Sequence, residues 1–396
     1  MIRAHRPRLS CAARHTPHVF LEPAISVAKS DPQRTPLHDR HVAHGARMVD
    51  FAGWSMPVQY DGLIKEHERV RSAVGLFDVS HMGQLFFAGA GAAQTLDNLA
   101  TNDVAAMRDG QALYTPLCNE SGGVLDDVLV YRVDAERFMM VVNAANVAKI
   151  AAWTEERRVG VTRVEDASDS IALLAVQGPR SREVLQRVAS LGAWAERLDA
   201  LEYYHFVGDG RGSVLFLSRT GYTGELGYEL YVRPEHAVPL WDEILAAGEP
   251  FGVGPVGLGA RDTLRFEVGF CLYGHELNEE ITPLEAGLRW TVKWKKPRFI
   301  GRDALVQQKQ DGVPRRLVGF EARQRVIARA GYEVRADGEV AGVVTSGTFA
   351  PTLKRSLAMA LVRNEALEAS WSVVVREREV PVQRVALPFY KPRASA

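Results

Sequence analysis

Two adjacent aspartates, Asp126 and Asp127, interrupt the apolar run Val124-Leu125-Asp126-Asp127-Val128-Leu129-Val130. Aspartate is disfavoured in strands and costly to bury unpaired, so carboxylates in such a run ask for a reason. Successive side chains of an extended strand point to opposite faces, which predicts that the two form no close dyad and that only one can face a given pocket. The plain alternative is an edge strand or bulge with both in water. Glu229, in Tyr228-Glu229-Leu230-Tyr231-Val232, shares a strand face with Tyr231 and reads either as solvent-facing or as a ligand contact. Tyr222, in the glycine-rich stretch Thr220 to Gly227, could stack on a flat ligand or cap the core. Arg261 could clamp a carboxylate bidentately, or form a surface ion pair of little worth.

Other chemistries lose their sequence support. Gly252 to Gly257 satisfies GxGxxG, but it reads as following a helix, contains Pro255 and has no evident helix after it, which speaks against a dinucleotide site. Cys11, Cys118 and Cys271 lie at no metal or redox spacing, and the histidines do not cluster, so no metal is expected. Neither GxSxG nor a Walker A motif occurs. Lys plus Arg and Asp plus Glu number 48 each, so no overall field draws the chain to nucleic acid or an anionic membrane. Apolar runs stop far short of the ~20 residues of a membrane helix. The basic stretch Lys293 to Arg298 reads as a solvated edge or, alternatively, as a docking site for an acidic partner.

The elements that must position these residues read as mixed α and β. Leu63 to Val74 has helical spacing, with Leu63, Ile64, His67, Val70 and Val74 on one face. Ala112 to Cys118 and Val124 to Val133 form a hairpin around Asn119-Glu120-Ser121-Gly122-Gly123. Phe138 to Val142 is a strand leading through Asn143 into a helix with Val147, Ile150, Ala151 and Thr154 on one face. Ile171 to Val176 is a strand, with Ser181 as N-cap of a helix through Val188. Strands at Val214 to Leu217 and Tyr228 to Val232 precede a helix from Val238 to Ala247. The pattern predicts two similar α+β halves over residues 35–305, a linker from Val306 to Pro314, and a β-barrel or sandwich over 315–390. Residues 1–34, rich in arginine and proline, are set apart as a disordered extension, a transit peptide or an upstream miscall of the start.

Taken in order, these segments resemble the aminomethyltransferases of the glycine cleavage system, the T-protein family. The resemblance rests on Gly45 to Trp54, Gly75 to Met82, Gly122 to Val130, Thr220 to Glu229, Gly257 to Arg265 and Val344 to Leu353, and runs from about Thr35 to Phe389. It implies an α+β fold, a three-domain cloverleaf around a central folate channel, with two α+β domains and a C-terminal β-barrel. It implies transfer of an aminomethyl unit from the lipoylated carrier H protein to tetrahydrofolate with release of ammonia, giving 5,10-methylenetetrahydrofolate. By residue correspondence it makes Asp126 catalytic, with Asp127 a neighbour without that role. Met82, Tyr114, Asn143 and Tyr222 would line the pterin pocket, and Glu229 and Arg261 would contact the folate. A C-terminal folate contact has no clean counterpart; Tyr390 and Arg393 are the candidates. The alternatives are a folate-dependent demethylase on the same fold, an amine oxidoreductase's folate domain, disfavoured without a dinucleotide domain, or a non-catalytic folate-binding scaffold. For the last, Phe270 to His275 is only loosely similar to the cysteine motif of iron-sulfur maintenance proteins. Location follows the extension: cytoplasmic in a bacterium, or mitochondrial matrix if it is a transit peptide.

Overall fold

The computed structural model describes residues 31–324 and 326–392. Expectations about the N-terminal extension before residue 31 and about Arg393 therefore lie outside the described residues. A compact unit runs from Gln33 onward, so the body starts two residues before the expected boundary: Gln33–Arg34 is already a strand, parallel to Trp54–Gln59. Among the described residues no helix is long and apolar enough to cross a membrane.

Two larger sheets carry the N-terminal region. A five-stranded antiparallel sheet has the order Gln111–Cys118, Val124–Arg132, Arg137–Val142, Gly83–Ala88, Arg163–Asp166. A six-stranded sheet has the order Phe206–Gly208, Val214–Ser218, Gly227–Val232, Ala172–Gln177, Val74–Asp78, Val253–Pro255, the last strand pairing in parallel. The expected two halves are thus α+β, but they do not follow one another. The whole five-stranded sheet is inserted between Val74–Asp78 and Ala172–Gln177, neighbours that pair with each other. Hydrophobic periodicity reports a strand's face and is silent on its partner.

Ala172–Gln177 is buried at every position because both faces are covered, as its unbroken apolar run implies. One face meets the helix Pro234–Gly248, where Trp241, Leu240 and Ile244 pack on Leu174, Val176 and Leu230. On the other, Leu173 and Ala175 join Phe77 and Tyr231 in a cluster with Tyr131, Met139 and Val141 of the five-stranded sheet. The two sheets therefore share one core. The far face of the five-stranded sheet is closed by helices Ala92–Leu99 and Val147–Arg157.

Arg315 onward forms a closed barrel in the order Arg315–Ala322, Arg355–Arg363, Glu339–Ala350, Glu333–Ala336, Trp371–Val375, Arg378–Val385. It is pinned to the body by buried polar contacts. Arg265 donates to Glu276 at 2.9 Å and to the Ser346 hydroxyl at 2.9 Å, and His67 meets Thr352 at 2.8 Å. The stretch expected as a linker is mostly helical, Arg302–Asp311, with Leu305 buried on its inner face; its polar composition reflects its outer face.

Two local expectations need correction. Ser181 opens its helix inside the first turn instead of capping it, donates to the Leu226 carbonyl at 3.2 Å, and the helix ends at Leu185. The GxGxxG segment follows a helix, Pro234–Gly248, as expected, but it contains a short strand, Val253–Pro255, and a helix, Leu258–Glu267, does follow it. A three-residue edge strand leaves too little pattern to detect, and Pro255 is tolerated because the strand is at the sheet edge. The helix N-terminus is already served: the Gly257 N–H donates to the Glu66 carboxylate at 2.8 Å. A Cβ at Gly257 would lie 2.5 Å from the Val58 carbonyl, so this glycine permits close chain packing and leaves no room for a phosphate.

Candidate functional site

A cavity of about 520 Å³ opens among the sheets, the helix Leu258–Glu267 and the loop that follows it. Its lining is chiefly apolar and aromatic with a few polar groups, the make-up of a site for a flat organic ligand. Met82, Tyr114, Asn143, Tyr222, Glu229 and Arg261, scattered over 180 residues of sequence, all reach its wall. Asp126 does not. Asp127 does.

A β-bulge precedes them: Leu117 pairs with Asp126 but Cys118 pairs with Val124, so Leu125 is an extra residue, and the pairing is regular from Asp126 onward. As expected, the two carboxyls leave the strand on opposite sides, Asp126 on the side of Val128 and Val130 and Asp127 toward the cavity. Both meet the side chain of Asn143, whose Nδ2 donates to Asp126 Oδ1 at 2.8 Å and to Asp127 Oδ1 at 3.0 Å. Asp126 is fully buried behind the wall and also accepts from the Asn143 N–H and the Asn146 amide. Asp127 accepts from the Tyr114 hydroxyl at 3.0 Å and faces the cavity. Burial drives both carboxyls upward, Asp126 to about 7, with the charge of Asp127 adding, and Asp127 to about 6, against the hydrogen bonds from Tyr114 and Asn143.

Glu229 is buried, not solvent-facing. Its Oε2 accepts from Thr220 at 2.5 Å, and burial raises its carboxyl above the ordinary range. Arg261 lies with its guanidinium 4.6 Å from the Tyr222 ring centroid and has no hydrogen-bond or ion-pair partner among the described residues. Tyr222 donates its hydroxyl to the Cys271 carbonyl and stacks at 5.8 Å on Phe270, so it both closes the core and presents a ring to the cavity. Tyr114 stacks likewise on Trp290, at 5.9 Å.

Several wall residues carry no signal that spacing could expose. Trp290 is 59% exposed on the rim, and Phe51 approaches His81 edge-on at 5.5 Å. His81 is buried with Nδ1 unpartnered; burial and the nearby Arg261 push its imidazole down to about 4, so it is neutral at physiological pH. The loop Phe270 to Tyr273 lines the cavity through residues that composition marks as core. Of the two candidates for a C-terminal contact, Tyr390 is turned to the body, donating to Glu225 at 3.2 Å under the Arg71 guanidinium; Leu387 and Pro388 reach the cavity instead.

Comparison with known proteins gives a consistent match over nearly the whole described chain. The family model described as the GCVT N-terminal domain matches residues 37–296, and the glycine cleavage T-protein C-terminal barrel domain matches residues 315–391. An aminomethyltransferase of Halothermothrix orenii is 47% identical over 90% of this chain and 99% of its own length. One from Caldanaerobacter subterraneus is 47% identical over 91% of this chain and 96% of its own. The crystal structure of the glycine cleavage system aminomethyltransferase T from Bartonella henselae superposes with a TM-score of 0.84 at 34% identity, covering 91% of this chain and 99% of that one.

Proposed function

This chain belongs to the glycine cleavage T-protein family of aminomethyltransferases, and from that premise we propose that it acts on a lipoylated H protein carrying an aminomethyl group, with tetrahydrofolate as acceptor. Ammonia leaves, the one-carbon unit becomes 5,10-methylenetetrahydrofolate, and the lipoyl sulfur is freed. The carrying observation is the presence, in one cavity, of a carboxyl cluster at Asp127 and an unpartnered guanidinium at Arg261. Such a combination suits a ligand with hydrogen-bonding ring nitrogens and a carboxylate tail.

Tetrahydrofolate, when bound, supplies the nitrogens that accept the one-carbon unit. Tyr222, Met82 and Tyr114 offer ring and thioether faces to its flat part, Arg261 meets a carboxylate, and Asn143 orients Asp127. The catalytic carboxyl in this reading is Asp127, because Asp126 has no face on the cavity. A fixed carboxyl in a water-poor site stabilises positive charge developing on the migrating carbon. Holding two substrates in register in the cavity can itself supply ~7 to 11 kcal/mol. No overall charge favours nucleic acid. The bacterial sources of the relatives support a cytoplasmic location over the mitochondrial matrix.

The direct test is incubation of the protein with aminomethylated H protein and tetrahydrofolate. Ammonia and methylenetetrahydrofolate should appear in equal amounts; turnover of an N-methylated amine instead would move the chain to the sister demethylases. Arg261→Ala should weaken folate binding roughly tenfold or more, since a charge-assisted bond of ~1.5 to 3 kcal/mol is lost. An unchanged dissociation constant in the folded variant would return Arg261 to a structural role.

A further inference from the structure

Asp126 has no face on the cavity, yet its hydrogen bonds come from the segment that builds the cavity wall. Its Oδ2 accepts from the Asn143 N–H at 3.1 Å, and its Oδ1 accepts from Asn143 Nδ2 at 2.8 Å and Asn146 Nδ2 at 2.7 Å. The same Asn143 amide reaches Asp127 Oδ1 at 3.0 Å and the Asp127 carbonyl at 3.2 Å. Carboxyl oxygens that touch one nitrogen are at most about 6 Å apart, a separation at which two charges in a dry site repel. Among the described residues no cation touches either carboxyl. Glu276, a further acid whose charge reaches Asp127, is paired with Arg265 at 2.9 Å, while Tyr222, Tyr273 and Cys271 face the pair as neutral groups, and Lys149 donates to the Tyr273 hydroxyl at 2.8 Å.

We infer that Asp126, Asn143 and Asn146 form a clamp behind the cavity wall, which orients Asp127 and makes the two carboxyls keep one proton between them, seated on Asp127. This rests on the reading of Asp127 as the carboxyl that faces the reacting groups. The donors decide where the proton sits. Asp126 receives three N–H bonds, each of which favours its ionised form, and together they outweigh the burial that drives its carboxyl up to about 7, against about 6 for Asp127. Asp127 Oδ2 is met by the Tyr114 hydroxyl, which donates to a carboxylate and accepts from an acid, so Asp127 changes state without losing a partner. Protonated Asp127 can give its proton to the departing amine, which leaves as ammonia. The carboxylate left behind faces the positive charge on the carbon, then takes a proton back from the folate nitrogen that forms the first new C–N bond; the C–S bond breaks as the second folate nitrogen closes the methylene bridge, and that nitrogen's proton goes to the departing lipoyl sulfur. Asp126 is in this account a positioning residue.

The test is an infrared titration of the protonated carboxyl band in the ligand-free protein, which needs no turnover. Besides the band of the buried Glu229, whose carboxyl is also raised, the wild type should keep one such band, belonging to the aspartate pair, into the near-neutral range. Asp126→Asn should lower its midpoint by about 1 pH unit or more, because a neighbouring charge is gone. The same variant should move the alkaline limb of kcat down by a like amount while leaving the folate dissociation constant unchanged, a shift that a loss of packing alone does not produce. Asp127→Asn should abolish the band above about pH 5 and serves as the second variant if Asp126→Asn fails to fold. A midpoint unmoved in Asp126→Asn overturns the clamp, and a band that persists in Asp127→Asn overturns the seat of the proton. Absence of aminomethyl transfer in a wild type that shows the band would instead count against the proposed reaction.

Discussion

Asp127→Asn should lower the turnover number by ~10² to 10⁴, the range lost when a proton-transferring or charge-stabilising group is removed. The amide keeps the shape, can still accept from Tyr114, and leaves the cavity wall in place, so folate should bind with nearly unchanged affinity. Single-turnover measurement with preloaded carrier separates this from slow product release. Asp126→Asn is the informative partner: fully buried behind the wall, it should cost less at its own pH optimum than Asp127→Asn does. Equal losses in the two variants, or near-normal transfer in a folded Asp127→Asn protein, would sink the assignment of roles.

The second large effect is on stability and falls on Lys296. The sequence offers Lys293 to Arg298 as a solvated edge or a docking patch, and for Lys293, Lys295 and Arg298, all exposed, either remains open. Lys296 is neither. It is buried, with Nζ donating to the carbonyls of Asp97 at 2.6 Å, Ala100 at 2.9 Å and Asn102 at 2.7 Å, and 2.9 Å from the Asp97 carboxylate. Its ammonium ties down the C-terminal end of the helix Ala92–Leu99, where unpaired carbonyls gather. Burial lowers its proton affinity, and the Asp97 carboxylate opposes that. Lys296→Met keeps the stem but leaves these acceptors unpaired, and should cost about 3 to 5 kcal/mol in chemical denaturation. Lys295→Glu, at an exposed neighbour, should stay within about 0.5 kcal/mol. A loss below 1 kcal/mol in Lys296→Met would show that water replaces the ammonium easily.

The contrast between Lys295 and Lys296 shows where sequence reading stops. Adjacent lysines in a run without periodicity look alike, and only the approach of a helix end nearly 200 residues away in sequence distinguishes them. Features with a local cause were legible. The turn at Asn119 to Gly123 is there because Asn119 Oδ1 accepts from the Gly123 N–H at 2.9 Å, and Gly123 has no room for a side chain, since a Cβ would lie 1.8 Å from the Glu279 carbonyl. The face Val147, Ile150, Ala151, Thr154 appears as expected, with Ile150 and Thr154 fully buried, as does the barrel. Ile64, assigned to an apolar face, is 51% exposed, because the helix turns Glu66, His67 and Val70 fully inward and Ile64 away. Alternation says that only one of Asp126 and Asp127 faces the pocket but not which; the choice of Asp126 comes from residue correspondence, and the cavity side falls to Asp127. Strand order was hidden too, since Val74–Asp78 has partners 100 and 180 residues downstream.

That interleaving also dictates an order of events during synthesis. All strands of the five-stranded sheet lie between Gly83 and Asp166, so this sheet can close while the ribosome is still making the rest. Val74–Asp78 leaves the exit tunnel earlier but waits, its neighbouring edge Val253–Pro255 being among the last segments of the region to appear. Until then the apolar face bearing Leu173, Ala175 and Phe77 has only the finished inner sheet to lie against. The inner sheet thus serves the nascent chain as a template, shortening the loops that would otherwise make so non-local a pairing slow and exposed to aggregation.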